Sequence, residues 1–407
     1  MDVAVSPSGQ VATASFDNAV GLWNGAEPQW LDGHAAAVTA LSFVNQKVVV
    51  SGGDDFTLRR WVSGQKLLLG AVQGEVLGQH QAKIMSITPA PDGESVATAS
   101  WDATIGLWSM SDPTDVQFLR GHKQGVNDVA FSPDGGWLYS ASTDGTIRVW
   151  NTTTGETDRQ LVEHGFGINE LVLNAEESWI AYGAVDGGTR VIDIDTGNEI
   201  ADFTLDRRPI LAMAHHPGTD QLAVGDGEGY IMIIDTARMK ISHDFRATRN
   251  GPVWALAFSK DGQNILAGGI EDILYSWPVE AMDEFGPMAG GTRSFLEDPS
   301  TLPNGERQFK RKCSICHALA EGSARKAGPT LYKLFGRPAG AVSDYSYSEA
   351  LMQSDIVWSA QTMNDLFDQG PDHYIPGSKM PMQVIAGQQD RDDLIEYLRV
   401  STDQEGD

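Results

Sequence analysis

Short runs with an apolar residue at every second position recur along the first 280 residues of the chain. One set comprises residues 126–131, 137–141 and 146–150, separated by Ser132-Pro133-Asp134-Gly135 and Thr143-Asp144-Gly145. A period of two bounded by turn-forming residues predicts successive antiparallel strands, each with one face turned inward. The set returns about every forty residues, the spacing of a repeat architecture. After Trp277 the pattern stops, and residues 281–302, with Gly286-Pro287, Gly290-Gly291 and Pro299, read as a linker. From 303 onward the period lengthens. Residues 305–312 around Phe309, and 392–398 with Leu394, Ile395 and Leu398 on one face, predict helices near the two ends of a second domain.

Each clear repeat opens on Gly-His and closes on Trp, as in Gly121-His122 and Trp150. With the period, these residues make residues 1–280 resemble WD-repeat proteins, which implies an all-β propeller of seven blades. The resemblance also implies a hydrogen-bonded set in each good blade: His122, Ser140, Asp144 and Trp150, preceded by His80, Thr98, Asp102, Trp108 and by His34, Ser51, Asp55, Trp61. A buried His and Asp need such partners, because an unpaired buried polar group costs about 1–3 kcal/mol. These His-Asp pairs are therefore read as structural. Later copies depart from the pattern: Ile192 and Ile234 replace the Trp, and Glu228 and Glu271 replace the Asp. Their apolar strands persist, so the blades are expected to survive without their polar sets. The first copy has Thr13, Asp17 and Trp23, but its His and the outer strand before it would lie upstream of Met1. The expectation is that Met1 is an internal methionine of a longer product, which carries an export signal and the strand that closes the ring.

Composition narrows the choice of partners. The 407 residues carry a net charge of −26, which argues against nucleic acid and against an anionic membrane surface. Eleven basic and fifteen acidic residues fall within 303–407, a net of −4, leaving −22 for residues 1–302. No run of about twenty apolar residues occurs, so no membrane span is predicted.

The chain has two cysteines, three positions apart, with histidine directly behind: Cys313-Ser314-Ile315-Cys316-His317. This spacing is the attachment signature of haem c: two thiols add across the vinyl groups and the histidine reaches the iron. A thioredoxin-like pair would need a βαβ context, and half a zinc site would need further cysteines or spaced histidines. With this motif, Phe309 one turn before it, and the loop Tyr374-Ile375-Pro376-Gly377-Ser378-Lys379-Met380, residues 303–407 resemble the mitochondrial-type, single-haem cytochromes c. That resemblance implies a small all-α domain holding one covalent haem c, with His317 and Met380 as axial ligands to the iron. Met382 is the nearby rival to Met380. It further implies a hydrogen bond from His317 to the Pro329 carbonyl, and Arg337, Tyr347 and Trp358 around a haem propionate. Gly305 and Phe309 are expected to pack against Leu394 and Tyr397. There are departures. Leu351 stands where an asparagine is frequent, and Leu366 or Phe367 where a tyrosine is usual. Asp372 and His373 replace two lysines of the basic ring, of which Lys379, Arg325 and Lys326 remain.

The expected fold is thus multidomain: a seven-bladed propeller at 1–280, a linker at 281–302 and a small cytochrome c domain at 303–407. Ligation by His and Met fills both axial positions and favours single-electron transfer over substrate chemistry. The expected role is a periplasmic electron carrier, more an electron-transfer protein than a catalyst, whose acidic propeller docks a redox partner with a basic surface. Two alternatives remain: a relay subunit of a propeller-based redox enzyme, and a redox-sensing interaction scaffold. The adjacent His215-His216 is the remaining candidate for a second metal site, although neighbours in a strand point to opposite faces.

Overall fold

The structure is a computed structural model that describes residues 1–25, 27–62, 74–205, 207, 209–271, 273–284, 302–314, 316–321, 328–343, 345, 347–376, 378, 380 and 384–402. The chain divides into two compact units, Met1–Gly290 and Gly291–Asp407. The central part of the expected linker, 285–301, lies outside the described residues.

The first unit contains seven antiparallel sheets, each built from consecutive strands. Blade 4 shows the scheme: Val126–Phe131 lies innermost, followed outward by Trp137–Ser142, Thr146–Asn151 and Thr157–Glu163. Six sheets have four strands, and the seventh, starting at Ala255–Phe258, has three among the described residues. The apolar positions form seven clusters, one at each junction between adjacent blades. Every sheet therefore buries both faces, which explains middle strands as uniformly buried as Trp179–Ala184. The junction of blade 7 with blade 1 has the smallest fully buried cluster, Val3, Ala255 and Leu266, with Phe16 and Trp254 in ring contact at 5.6 Å.

Blades 2, 3 and 4 contain the expected polar sets. In blade 4 the Trp150 indole N–H donates to Ser140 Oγ at 2.8 Å, Ser140 pairs with His122 Nε2 at 2.7 Å, and His122 Nδ1 donates to Asp144 at 2.9 Å. Asp144 also accepts from the Lys123 N–H at 2.9 Å and from Thr146. The same chains link Trp61, Ser51, His34 and Asp55, and Trp108, Thr98, His80 and Asp102. Burial alone would raise the Asp55 carboxyl, but hydrogen bonds from His34, Ala35 and Thr57 outweigh it and hold the group at about 2.

The later blades correct the expectation that their polar sets are lost. In blade 5 the His164 ring is reversed, with Nε2 on Asp186 at 3.0 Å and Nδ1 on the Tyr182 hydroxyl at 3.1 Å. In blade 6 Arg207 replaces the histidine: its Nε donates to Asp226 at 2.7 Å, its Nη1 to Asp244 at 3.0 Å, and its guanidinium lies 4.4 Å from the Tyr230 ring centre. In blade 7 Asn250 donates to Glu271 at 3.1 Å, and Tyr275 donates to the same carboxylate. That blade has one deficit. Ala267 stands ten residues before Trp277, where the four other blades that keep the Trp have Ser or Thr, and the buried Trp277 Nε1 has no partner.

The second unit is helical: α1 Asn304–Lys312, α2 Glu349–Met352, α3 Ala360–Gln369, α4 Pro371–Tyr374 and α5 Gln388–Thr402. Helix α3 starts on a reciprocal cap between Ser359 and Thr362. Helices α1 and α5 meet at Gly305, where a Cβ would stand 2.1 Å from the Asp393 carbonyl oxygen. Only glycine permits that approach. One turn later Phe309 and Tyr397 meet with ring centres 5.5 Å apart. Phe309, Leu394, Ile395 and Leu398 belong to one buried cluster, with Tyr397 packed on its edge. Among the described residues no helix is long and apolar enough to cross a membrane.

The innermost strands of all seven blades surround a channel of about 590 Å³. Carboxylates on its wall stitch blades together: Asp2 accepts from the Leu41 N–H at 2.8 Å and Asp128 from the Leu171 N–H at 2.9 Å. Asn127 and Asn169 likewise donate to the carbonyls of Ile168 and Ile210 in the next blade, each at 2.8 Å. Burial pushes the Asp2 and Asp128 carboxyls up to about 6, and Glu170 is pushed well above its usual range by burial and by the charges of Asp128 and Asp2. His215 lines the same channel against Trp179, while His216 faces Phe258 and the Lys260 carbonyl, so the pair does point apart. A carboxyl whose pKa is raised by folding is no burden while protonated, and its ionisation withdraws stability as pH climbs through the folded value. Glu170→Gln is therefore expected to match the wild type in chemical denaturation at pH 4. At pH 8 it should be more stable by about 1–3 kcal/mol, the usual cost of an uncompensated buried polar group.

Candidate functional site

Helix α1 delivers the cysteine motif. Its last turn hands the chain to Cys313, whose N–H donates to the Phe309 carbonyl at 2.8 Å. A tight turn follows, with the N–H groups of Cys316 and His317 donating to the Cys313 carbonyl at 3.1 and 2.8 Å. This turn brings the two sulfurs and the imidazole together. Cys313 is buried, Cys316 and His317 are half-buried, and the thiols are not joined in a disulfide. Burial pushes the Cys313 thiol up to about 12, far from the depressed value of a thioredoxin-like redox pair. Among the described residues no group of three His, Cys, Asp or Glu side chains is placed to hold a metal, so nothing there completes a zinc site.

The segment beginning at Gly328 crosses directly behind the imidazole. Its N–H donates to the Cys316 carbonyl at 2.7 Å, and His317 Nδ1 lies 2.8 Å from the Pro329 carbonyl oxygen. A carbonyl only accepts, so Nδ1 carries the proton and Nε2 keeps its lone pair free for a metal. A Cβ at position 328 would sit 2.4 Å from His317 Cε1, so glycine is needed for the ring to lie flat there.

Arg337 and Trp358 are joined through their backbones: the Trp358 N–H donates to the Arg337 carbonyl at 3.0 Å, and the Gly336 N–H to the Trp358 carbonyl at 2.8 Å. Arg337 spends two donors on the carbonyls of Tyr332 and Thr330, each at 2.7 Å, and its burial depresses the guanidinium, an effect tempered by Tyr347. Tyr347 stacks edge-on against Tyr345 with ring centres 4.8 Å apart. Next to it, Ser348 Oγ is buried and has no partner. A half-buried guanidinium, a phenol and an orphaned hydroxyl suit a buried carboxylate such as a haem propionate. Met380 and Trp358 pack on the apolar cluster that contains Phe309 and Cys313, and the Met380 N–H donates to Ser378 Oγ at 3.1 Å. Phe367 and Leu366 are buried in that cluster, and Leu351 packs against it. Met382, Lys379, Arg325 and Lys326 lie outside the described residues.

Sequence reading missed Arg391 and Asn304. Arg391 on α5 is buried, and Asn304 on α1 donates to Asp390 and Asp393 of α5, each at 2.7 Å. The alternation of acids and arginine at 390–393 gives no sign that one of them points inward.

Blades around a channel, followed by a helical unit that presents two thiols and an oriented imidazole, define a propeller joined to a haem-binding domain. Comparison with known proteins agrees. The family described as "WD domain, G-beta repeat" matches residues 27–61, 72–109, 113–151 and 239–277, and the family "Cytochrome c" matches residues 302–401. The stretch between the third and fourth WD matches holds blades 5 and 6, where His164 is reversed and Arg207 substitutes. Cytochrome c of Nigella damascena is 40% identical over 110 residues, which are 27% of this chain and 98% of that protein. Cytochrome c of Ginkgo biloba is 39% identical over 113 residues, 28% of this chain and 99% of that protein. That of Theileria parva is 45% identical over 95 residues, 23% and 81%. The chain therefore belongs to the cytochrome c family through its C-terminal domain, carries covalent haem c, and bears a seven-bladed WD40 propeller ahead of it.

Gly328→Ala forces either the ring or the crossing segment to move. Overpacking of this kind costs about 1–3 kcal/mol. Thermal unfolding is expected to show that loss. A redox titration should show a higher potential, because an imidazole that no longer donates to Pro329 is a weaker base toward ferric iron.

Proposed function

We propose that the protein is a periplasmic carrier of single electrons, in which His317 and Met380 are the axial ligands of the iron and the propeller recruits a redox partner with a basic surface. Cys313 and Cys316 would hold the haem through thioethers. Bound there, haem c supplies reversible one-electron exchange between ferric and ferrous iron. The observation that carries the reading is the orientation of His317, whose Nδ1 is engaged by Pro329 and whose Nε2 is thereby committed to the iron side.

The remaining residues confine the site to electron transfer. Met380 packs on the same apolar cluster as Cys313, so its thioether would be at hand to serve as the second ligand of the iron. With His317 and Met380 both holding the iron, substrate would have no place to bind there. Arg337 would offset the charge of a propionate, and Tyr347, Trp358 and Ser348 would donate hydrogen bonds to it. Attachment of haem c follows export, which supports a periplasmic location.

Partner choice follows from charge. The cytochrome domain has Asp372 and His373 before the Met380 loop and a net charge of only −4, so it lacks a strong field of its own. The −22 of residues 1–302 supplies one, and complementary charge steers the small, short-lived encounters typical of redox proteins.

The purified ferric protein is expected to show the weak near-infrared sulfur-to-iron absorption, and the reduced protein to resist carbon monoxide. Met380→Ala should lose the absorption and take up carbon monoxide. Electron exchange with a basic partner should slow steeply as salt rises; a rate independent of ionic strength would remove the docking role.

A further inference from the structure

Arg391 is 6% exposed, an unusual position for a guanidinium, and each of its nitrogens is spent. Nε donates to Asn364 Oδ1 at 2.9 Å, Nη1 to the Ile385 carbonyl at 2.6 Å and to the Ala386 carbonyl at 3.2 Å, and Nη2 to Gln388 Oε1 at 2.7 Å. Nη2 also lies 3.0 Å from Asp368. Apart from Gln388, which shares helix α5 with Arg391, these partners belong to two segments that flank the Met380 loop. Asn364 and Asp368 are on α3, which ends just before the loop begins, and Ile385 and Ala386 are where it returns. One backbone bond spans the same base, from the Ile385 N–H to the Phe367 carbonyl at 2.9 Å. On the outgoing side the chain packs Ile375 into the apolar cluster, and three of its backbone bonds are short-range: Gly370 N–H to the Leu366 carbonyl at 3.0 Å, Ile375 N–H to the Pro371 carbonyl at 2.9 Å, and Ser378 N–H to the Ile375 carbonyl at 2.9 Å.

We propose that Arg391 is the positioning residue of the axial methionine: by tying the returning strand of the loop to α3, it closes the loop at its base and holds Met380 Sδ toward the iron. The inference rests on Met380 being the sixth ligand. Arg391 touches neither the methionine nor the haem site. It acts through five hydrogen-bond and charge contacts that one planar group can satisfy together and a lysine cannot. A loop with an open base samples conformations in which the sulfur is withdrawn, and an outside ligand then competes for the iron.

The test is imidazole binding to the ferric holoprotein, followed in the Soret band, with the near-infrared absorption recorded first. Arg391→Met is expected to bind imidazole at least tenfold faster and tighter than wild type while retaining covalent haem and helix content, and Arg391→Lys should fall between. Asn364→Ala removes one partner from a half-buried position and is expected to accelerate binding about threefold; it decides the matter alone if Arg391→Met does not fold. Rates within a factor of about 1.5 of wild type in the variants that fold, accompanied by lower melting temperatures, would overturn the proposal and leave Arg391 as a stabilising residue only. Absence of the near-infrared absorption from the wild type would instead remove the methionine ligation itself, and this inference with it.

Discussion

The hydrogen bond from His317 Nδ1 to the Pro329 carbonyl is the interaction on which the haem domain is organised. It selects one tautomer, fixes the plane of the ring and leaves a single nitrogen for iron. Its geometry places demands on neighbours that are otherwise unrelated in sequence. Position 328 must be glycine, because a Cβ would enter the ring. The crossing segment must be anchored, which the Gly328 N–H does on Cys316 and the Leu331 N–H on Ala318. Both anchors grip carbonyls of the turn that follows α1, so the cysteines, the histidine and its acceptor form one cross-linked unit before any haem is considered.

The propeller answers a different constraint, that of closing a ring from repeats that have diverged. Seven junctions each need an apolar cluster, and six are substantial, whereas that between blades 7 and 1 has three buried residues with partly buried neighbours packed against them. The polar sets tell a similar story of function retained by different means. What persists is a bridge from the loop entering a blade to the turn between its second and third strands. His122 to Asp144, a reversed His164 to Asp186, Arg207 to Asp226 and Asn250 to Glu271 are four chemical solutions to that bridge. An imidazole is not required; a donor with the right reach is.

Much of this was legible in the sequence, because periodicity and tight spacing are local properties. The alternation around residues 126–150, the Cys313-to-His317 run, and Gly305 with Phe309 opposite Tyr397 could all be placed before any fold was seen. The illegible parts share a cause: they depend on which distant segment arrives beside a residue. Asp226 lies two positions before the turn site occupied by Glu228, so a register-based reading passes over it. Asp128 sits in a strand whose alternate face ordinarily meets solvent, and only ring closure makes that face the wall of a channel. Arg391 lies between Asp390 and Asp392, in what looks like a solvated helical stripe. Turned inward, it donates to the carbonyls of Ile385 and Ala386, a contact that no local pattern announces.

The carboxylates show how one group serves opposite ends within one ring. In the blades, Asp55, Asp102 and Asp144 each receive several donors, and those bonds overcome burial and hold the groups ionised. On the channel wall Asp2 and Asp128 also accept backbone N–H bonds, yet burial prevails and their affinity for protons rises. The difference is depth and donor together: the blade acids are partly buried and each faces an imidazole, whereas the channel acids are more deeply buried and have no imidazole partner, Asp128 receiving amides and the Ser86 hydroxyl. Acid therefore threatens the blades while relieving the channel, and alkali does the reverse. A ring whose two carboxylate populations titrate in opposing senses has its greatest electrostatic stability at an intermediate pH. The −22 carried by residues 1–302 adds to the alkaline side of that balance, since self-repulsion grows as the channel acids ionise. The negative field that the proposed function uses to draw in a basic partner is thus also a load on the ring, and a partner whose positive surface neutralises it would stabilise the propeller as it docks.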